Sequence, residues 1–454
     1  MYGWESIAMS DDLPEFENLP VISLDDAIEI LVRGESISDC TIPDLRQLAD
    51  LFQQRLRAMG KELCRLPLAL THCQILQANM RSACLEVPLH IGPDPRFIKT
   101  NSAHASSRGC VFRFLADFSE VTFHADSFIT CTRFVGSRWV GAEFGHHMDF
   151  TGSKFNGNAI WNGPRFVADA TFKSCVFQNW ADFRWCSFSG KVDFDDARFC
   201  GLAAFDAVSF CKDAKFPRTK FKMPATFIGV RFQGNAEFWD AQFSRQAFFE
   251  RAAFTAPTSL DSAFFNPPAC LLLGTLGRYP SFRRDDDAEA VFRVAKNHAE
   301  TRGDYLLAGD YYYEERVHRS RRRKMYEPLR WLENIFVRGL FGYGERPARI
   351  LIAAAIVMTL AAFGYLFLGV EGAAFSEHRQ IDYDLIWGSN QTCPSVQDIG
   401  YAFYFSAITF ATVGYGDVHP LSGPSRGVAA LEGLSGIILT ALFVVCVAKR
   451  FTRG

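Results

Sequence analysis

The residues best suited to chemistry are Thr412, Val413, Gly414, Tyr415, Gly416 and Asp417, which read TVGYGD near the end of a 454-residue chain. Glycine takes positive φ without a steric penalty, so Gly414 and Gly416 permit a backbone that alternates in handedness. Such a backbone turns successive carbonyl oxygens toward one axis, and a row of carbonyls can replace the hydration shell of a cation. No other constellation competes. His146 and His147 are adjacent, whereas a metal site needs spaced ligands, so they read as a solvated corner. The 13 cysteines show no CxxC pairs and no Cys/His spacing, which points to buried reduced thiols rather than zinc or a disulfide framework. No Gly-rich nucleotide fingerprint is visible.

The surroundings of TVGYGD are those of a membrane module. Residues 350–370 (ILIAAAIVMTLAAFGYLFLGV) carry no charge and are long enough to cross a bilayer. Residues 427–448 form a second span with one acid, Glu432. Between them, residues 397–411 are too short to span but suit a re-entrant pore helix. The irregular backbone that follows is tolerated at membrane depth only where it lines a water path or is buried in protein. Basic residues crowd ahead of the first span and KRFTRG follows the second, so both ends are expected on the cytoplasmic side. The loop 370–396 holds four acids and one Arg, as an outer loop should. Glu432, an acid within a span, is expected to bond to the pore-helix region as support, with proton-dependent gating the second reading.

The order span, pore helix, TVGYGD, span resembles a two-transmembrane potassium channel. The resemblance implies that Thr412, Val413, Gly414, Tyr415 and Gly416 bind K+ through backbone carbonyls, with the Thr412 hydroxyl at the innermost site and Val413 and Tyr415 turned outward. It places Asp417 at the extracellular mouth and an inner-helix hinge at Gly436, with Gly433 a close rival. Thr440, Ala441, Val444 and Ala448 would line the pore and its gate. One chain supplies one wall, so a homotetramer is implied. One departure is Tyr404-Phe405, where the family often has Trp-Trp, which bears on the bracing of Tyr415.

The first half of the chain follows another rule. Phe accounts for 44 residues, and it recurs with a period of eleven. One series runs Trp139, Phe150, Trp161, Phe172 and onward to Leu260. A second, five residues later, runs Phe144, Phe155, Phe166 and onward to Phe265. Of 24 marked positions 21 are Phe, and the rest are large and apolar. An eleven-residue period also suits a supercoiled helix, but positions five apart would then lie on different faces, and Pro164, Pro217 and Pro224 oppose a helix. Two residues before most marked positions stands a small residue, such as Ala170, Ala181, Ala203, Cys175 or Cys186. Residues i and i−2 share a face of an extended strand, so each unit pushes one small and one large side chain inward. This resembles the pentapeptide-repeat family, whose chains wind a right-handed four-sided β-helix. Here every second step is six rather than five, giving coils of 22 residues with the extra residues at corners. Twelve repeats give six coils.

The expected fold is therefore multidomain: a cytoplasmic right-handed quadrilateral β-helix, then helices, then an α-helical two-transmembrane potassium-channel pore. The expected boundaries are a mixed or helical segment at 1–65, the β-helix at 66–270, a helical connector at 280–346 and the pore module at 347–454. In the connector, Ala288, Val291, Phe292, Ala295 and Ala299 form a helical stripe. A second helix covers about 303–325. A third places Leu329, Leu332, Ile335, Phe336 and Leu340 on one face, bordered by Trp331 and Arg338, and is read as lying in the membrane interface.

Net charge is −2, and residues 112–265 hold 16 acids against 17 bases, which suits neither a nucleic-acid partner nor a DNA mimic. The expectation is a non-enzymatic potassium-selective pore subunit of a cell (inner) membrane, without a cofactor, its gate scaffolded or regulated by the repeat domain. A ligand or protein on the β-helix is expected but not named by any motif. The alternatives are a membrane-anchored interaction scaffold and a nonselective cation channel.

Overall fold

The computed structural model describes residues 16, 19–60, 66–92, 110–275, 277–322, 333–340, 342–372, 379–381 and 396–451. The chain divides into two units, Met1–Arg302 and Gly303–Gly454.

The first unit is a β-solenoid, and its interior explains the beat of the sequence. One coil is built from four two-residue strands, Val176–Phe177, Ala181–Asp182, Ser187–Phe188 and Val192–Asp193. Each pairs in parallel with the strand 22 residues on: Val176 with Arg198, Ala181 with Ala203, Ser187 with Ser209 and Val192 with Ala214. Four columns of strands result, so the solenoid has four sides.

Inside, equivalent rings stack from rung to rung. Phe155, Phe177 and Phe199 lie 4.7 Å apart at interplanar angles of 3°. Neighbouring columns meet edge to face, as in Phe177 against Phe183 at 5.7 Å and 80°. Stacked and edge-to-face rings each add to the gain from area burial alone. The small residues leave room for this: Ala181, Ala203, Ala225 and Ala247 are fully buried. Two cysteines at the small position bond to the rung below, Cys175 Sγ to Phe150 O and Cys186 Sγ to Trp161 O, both at 2.9 Å. Burial holds both thiols well above the ordinary cysteine range.

The two step lengths are two kinds of corner. In the five-residue step a left-handed residue closes a tight turn, at Ser174, Trp185, Asp196, Ala207 and Arg218, eleven residues apart. Cys175 N–H donates to Phe172 O across the first of these. The six-residue step, such as 177 to 183, turns without positive φ.

The solenoid is longer than six coils. Among the described residues one column holds nine rungs, from Ile37–Ser38 to Ala236–Glu237, about 40 Å at the usual strand spacing. Its first rungs lie in the segment expected to stand apart at 1–65: Ile37 pairs with Leu70 and Thr41 with Gln74. Helix α1 (Leu24–Val32) is capped by Ser23, which accepts from Asp26 N–H, and helix α2 (Leu45–Ala58) by Asp44. Gln53 of α2 ties the helix to the wall, accepting from Glu86 N–H at 2.8 Å and donating to Cys84 O.

The last strand is Ser281–Phe282, paired with Ala253–Phe254, past the expected limit of 270. Helix α3 (Asp285–Thr301) closes this end. Its buried stripe is Ala288, Val291, Phe292, Ala295 and Ala299, and Phe292 meets Tyr279 and Phe282. His298 lies against Phe265 and accepts from Leu271 N–H at 3.2 Å, while burial lowers its pKa. The expected connector at 280–346 is therefore divided, with α3 belonging to the solenoid.

The second unit opens with helix α4 (Tyr305–Arg322). Its Tyr313 receives the guanidinium groups of Arg346, 4.2 Å from the ring centre, and Arg349 at 5.5 Å. Of the expected interfacial helix, Leu329, Trp331 and Leu332 lie outside the described residues. Glu333–Leu340 is a π-helix rather than an α-helix, so the 3.6-residue stripe drawn through Ile335 does not continue. Ile335 and Val337 are exposed. Helices α5 (Pro347–Leu368), α6 (Val396–Phe410) and α7 (Gly423–Phe451) complete the unit. Two of them contain stretches long and apolar enough to cross a membrane: Pro347–Leu368 with mean hydropathy 2.4, and Gly423–Ala448 with 2.2.

Candidate functional site

The site is built on the end of α6. Thr412 N–H donates to Thr409 O at 3.0 Å, and Val413 N–H and Gly414 N–H reach back to Ile408 O at 2.9 and 3.4 Å. These bonds end the helix and start the extended segment. Along it φ is positive at every second residue: 53° at Thr412, 54° at Gly414 and 78° at Gly416. The sequence suggested this for the glycines; Thr412 joins them. Val413 and Tyr415 are 51% and 72% exposed, so neither is covered by its own chain.

The Asp417 end of the segment is held in two ways. Tyr404 of α6 donates to Asp417 Oδ2 at 2.6 Å. Directly after Asp417, Val418–Pro420 pairs antiparallel with Val370–Gly372, which also pairs with Arg379–Ile381. The pair Tyr404-Phe405 thus divides its work: Tyr404 reaches Asp417, while buried Phe405 packs on Tyr365 of α5 at 4.7 Å. Of the loop acids, Glu377, Asp382 and Asp384 lie outside the described residues.

The spanning helices are tied at the same level. Ser422 and Ser425 donate to Leu368 O and Gly369 O at 2.6 and 2.8 Å. Lower down, Glu432 of α7 accepts from Tyr365 at 2.6 Å and touches Ser406 of α6.

Gly436, read as a hinge, is buried, and a Cβ there would collide with the Phe410 carbonyl, so this glycine lets α7 approach the end of α6. Gly433 is looser, 3.6 Å from Thr409 O by the same measure. Thr440, Ala441, Val444 and Ala448 are all exposed on a single chain, whereas Leu439 and Cys446 are buried in a cluster with Ile350 of α5. The structure thus gathers 412–417, Gly433 and Gly436 around the end of α6 and leaves the four lower residues on an uncovered face of α7. Glu432 reaches the pore-helix region as expected, but Tyr365 and Ser406 were not named as its partners, and Tyr404 was named without its partner Asp417. Their signal in the sequence was a polar group within an otherwise apolar stretch. Among the described residues no His, Cys, Asp or Glu cluster could hold a metal ion.

Residues 352–453 match a family model described as an ion channel. The C-terminal part of the chain is an ion-channel domain of the two-transmembrane type. No curated protein and no solved structure matches the chain. In the channel domain the spanning helices are α5 and α7, and the short α6 between them presents its C-terminal end to residues 412–417.

Proposed function

We propose that the chain is a potassium-selective pore subunit in which 412–417 form the selectivity filter. The observation that carries this reading is the alternation of positive φ at Thr412, Gly414 and Gly416 immediately after α6. Alternating handedness aims consecutive carbonyls the same way, which is what a dehydrated cation requires. Four chains around one axis supply the other walls and cover Val413 and Tyr415. K+ is the permeant ion, no cofactor is needed, and no nucleic acid is bound. The basic run 316–349 and the basic residues after Ala448 support a topology in which both ends of the channel domain face the cytoplasmic side of a cell membrane.

The test is the reversal potential of the purified chain in a planar bilayer with potassium on one side and sodium on the other. A reversal near the potassium equilibrium potential is expected. A reversal near zero would make the pore nonselective and sink the potassium reading.

The solenoid, closed at its last rungs by α3, acts in this reading as a scaffold that sets the gate. Removing residues 1–302 is expected to leave the potassium/sodium permeability ratio unchanged and to alter open probability in single-channel records. A changed ratio would show that the two units do not have separate roles.

A further inference from the structure

Glu432 lies within the apolar span Gly423–Ala448 and is 2% exposed. A carboxyl in such a setting persists only with partners. Both of its oxygens are taken: Tyr365 of α5 donates to Oε2 at 2.6 Å, and Ser406 of α6 meets Oε1. Ser406 Oγ also reaches the Met358 carbonyl of α5 at 2.9 Å. A serine hydroxyl has one hydrogen to give, yet this one faces two acceptors. The Ser406 hydroxyl therefore lies between the Glu432 carboxyl of α7 and the Met358 carbonyl of α5, so that α6 is tied to both spanning helices at one point.

The connection runs on into the filter. Ser406 stands two residues before Ile408, whose carbonyl accepts from Val413 N–H and Gly414 N–H. A continuous route therefore leads from the N-terminal third of α7 through a fully buried serine to the first residues of 412–417.

We propose that Glu432 is a positioning residue of the filter: it fixes α6 against both spanning helices and so sets the height of Thr412, Val413 and Gly414, without touching an ion itself. This rests on the reading of 412–417 as a potassium filter.

The test compares Glu432→Gln and Glu432→Leu with the wild type, as full-length chains reconstituted in planar bilayers. The glutamine amide offers a hydrogen to Ser406 and an oxygen to Tyr365, and leucine offers neither. Glutamine is expected to keep the potassium/sodium permeability ratio. Leucine is expected to lower it about tenfold, the scale of one lost buried hydrogen bond, with the assembled mass unchanged by light scattering. A leucine variant with the wild-type ratio, or a glutamine variant as impaired as leucine, overturns the proposal.

A second readout does not depend on conduction: amide hydrogen exchange in the peptide spanning 408–417, on the full chain in detergent. Exchange there is expected to rise with leucine and not with glutamine, while peptides of α5 and α7 stay unchanged. No rise in 408–417, or an equal rise throughout both spanning helices, reduces Glu432 to an ordinary structural tie. If the wild type itself shows no potassium preference, the filter reading fails on that result alone, and the exchange comparison still decides the role of Glu432.

Discussion

Gly416→Ala is expected to reduce potassium current to background in channels that still assemble. The reason is conformational. A Cβ at Gly416 meets nothing within 4 Å in its own chain, so no contact forbids the methyl group. The obstacle is φ, which is 78° there and costs an L-residue roughly 1–2 kcal/mol. In the proposed tetramer the change is made four times, so the penalty reaches roughly 4–8 kcal/mol per proposed filter. Rotating the 415–416 and 416–417 peptides relieves it, and each rotation swings a carbonyl off the proposed axis. The proposed filter then keeps its shape only by holding strain, or relaxes and loses ligands for the ion. Gly414, at 54°, is expected to behave in the same way. The measurement is potassium flux into vesicles at matched tetramer density. A Gly416→Ala channel with wild-type flux and selectivity would show that conduction does not depend on this carbonyl row.

The repeat was legible because a solenoid interior imposes the same demand on every rung. A ring must stack on the ring 22 residues away, and a small residue must admit it, so Phe and Ala recur as a printed period. Where the chain leaves the wall, the period breaks although the wall continues. Helix α2 intervenes between the Thr41 and Gln74 rungs, so paired residues there are 33 apart rather than 22. The next pairing, Gln74 with Val111, spans 37 residues, and the last, Phe254 with Phe282, spans 28. That is why six coils were expected and nine rungs are found in one column.

In the channel domain the backbone motif could be read directly, since glycine at alternate positions is a local requirement. The ties around it could be read only in part. Glu432 was expected to reach the pore-helix region and does so, but its partner Ser406, the bond from Tyr404 to Asp417 and the contact of Gly436 with Phe410 depend on how α5, α6 and α7 cross, which no single segment encodes. Gly436 shows the limit well: the resemblance implies a hinge there, whereas the structure shows two helices needing the space of a side chain.

Phe205→Ala is the second change with a large expected effect, and it acts on the solenoid alone. The ring is fully buried. It lies 5.0 Å from Phe183 and 5.0 Å from Phe227 in nearly parallel stacks, with Phe194, Phe199 and Phe216 edge-on at 5.6–5.7 Å. Truncation removes the ring from five partners at once and leaves a void that neighbouring rungs cannot fill, because their own pairing fixes their height. A loss of about 3–5 kcal/mol is expected. Rungs in a solenoid contact only their neighbours, so the damage is local and cuts the stack into two shorter pieces. Guanidinium unfolding of the variant should therefore begin earlier and lose cooperativity, and protease cleavage should appear near the coil that contains Phe205. Arg231→Ala, a change at an exposed outward-facing residue on another side of the solenoid, should stay within roughly 0.5 kcal/mol of the wild type. A Phe205→Ala variant as stable as Arg231→Ala would mean that the aromatic ladder is not what holds the solenoid together.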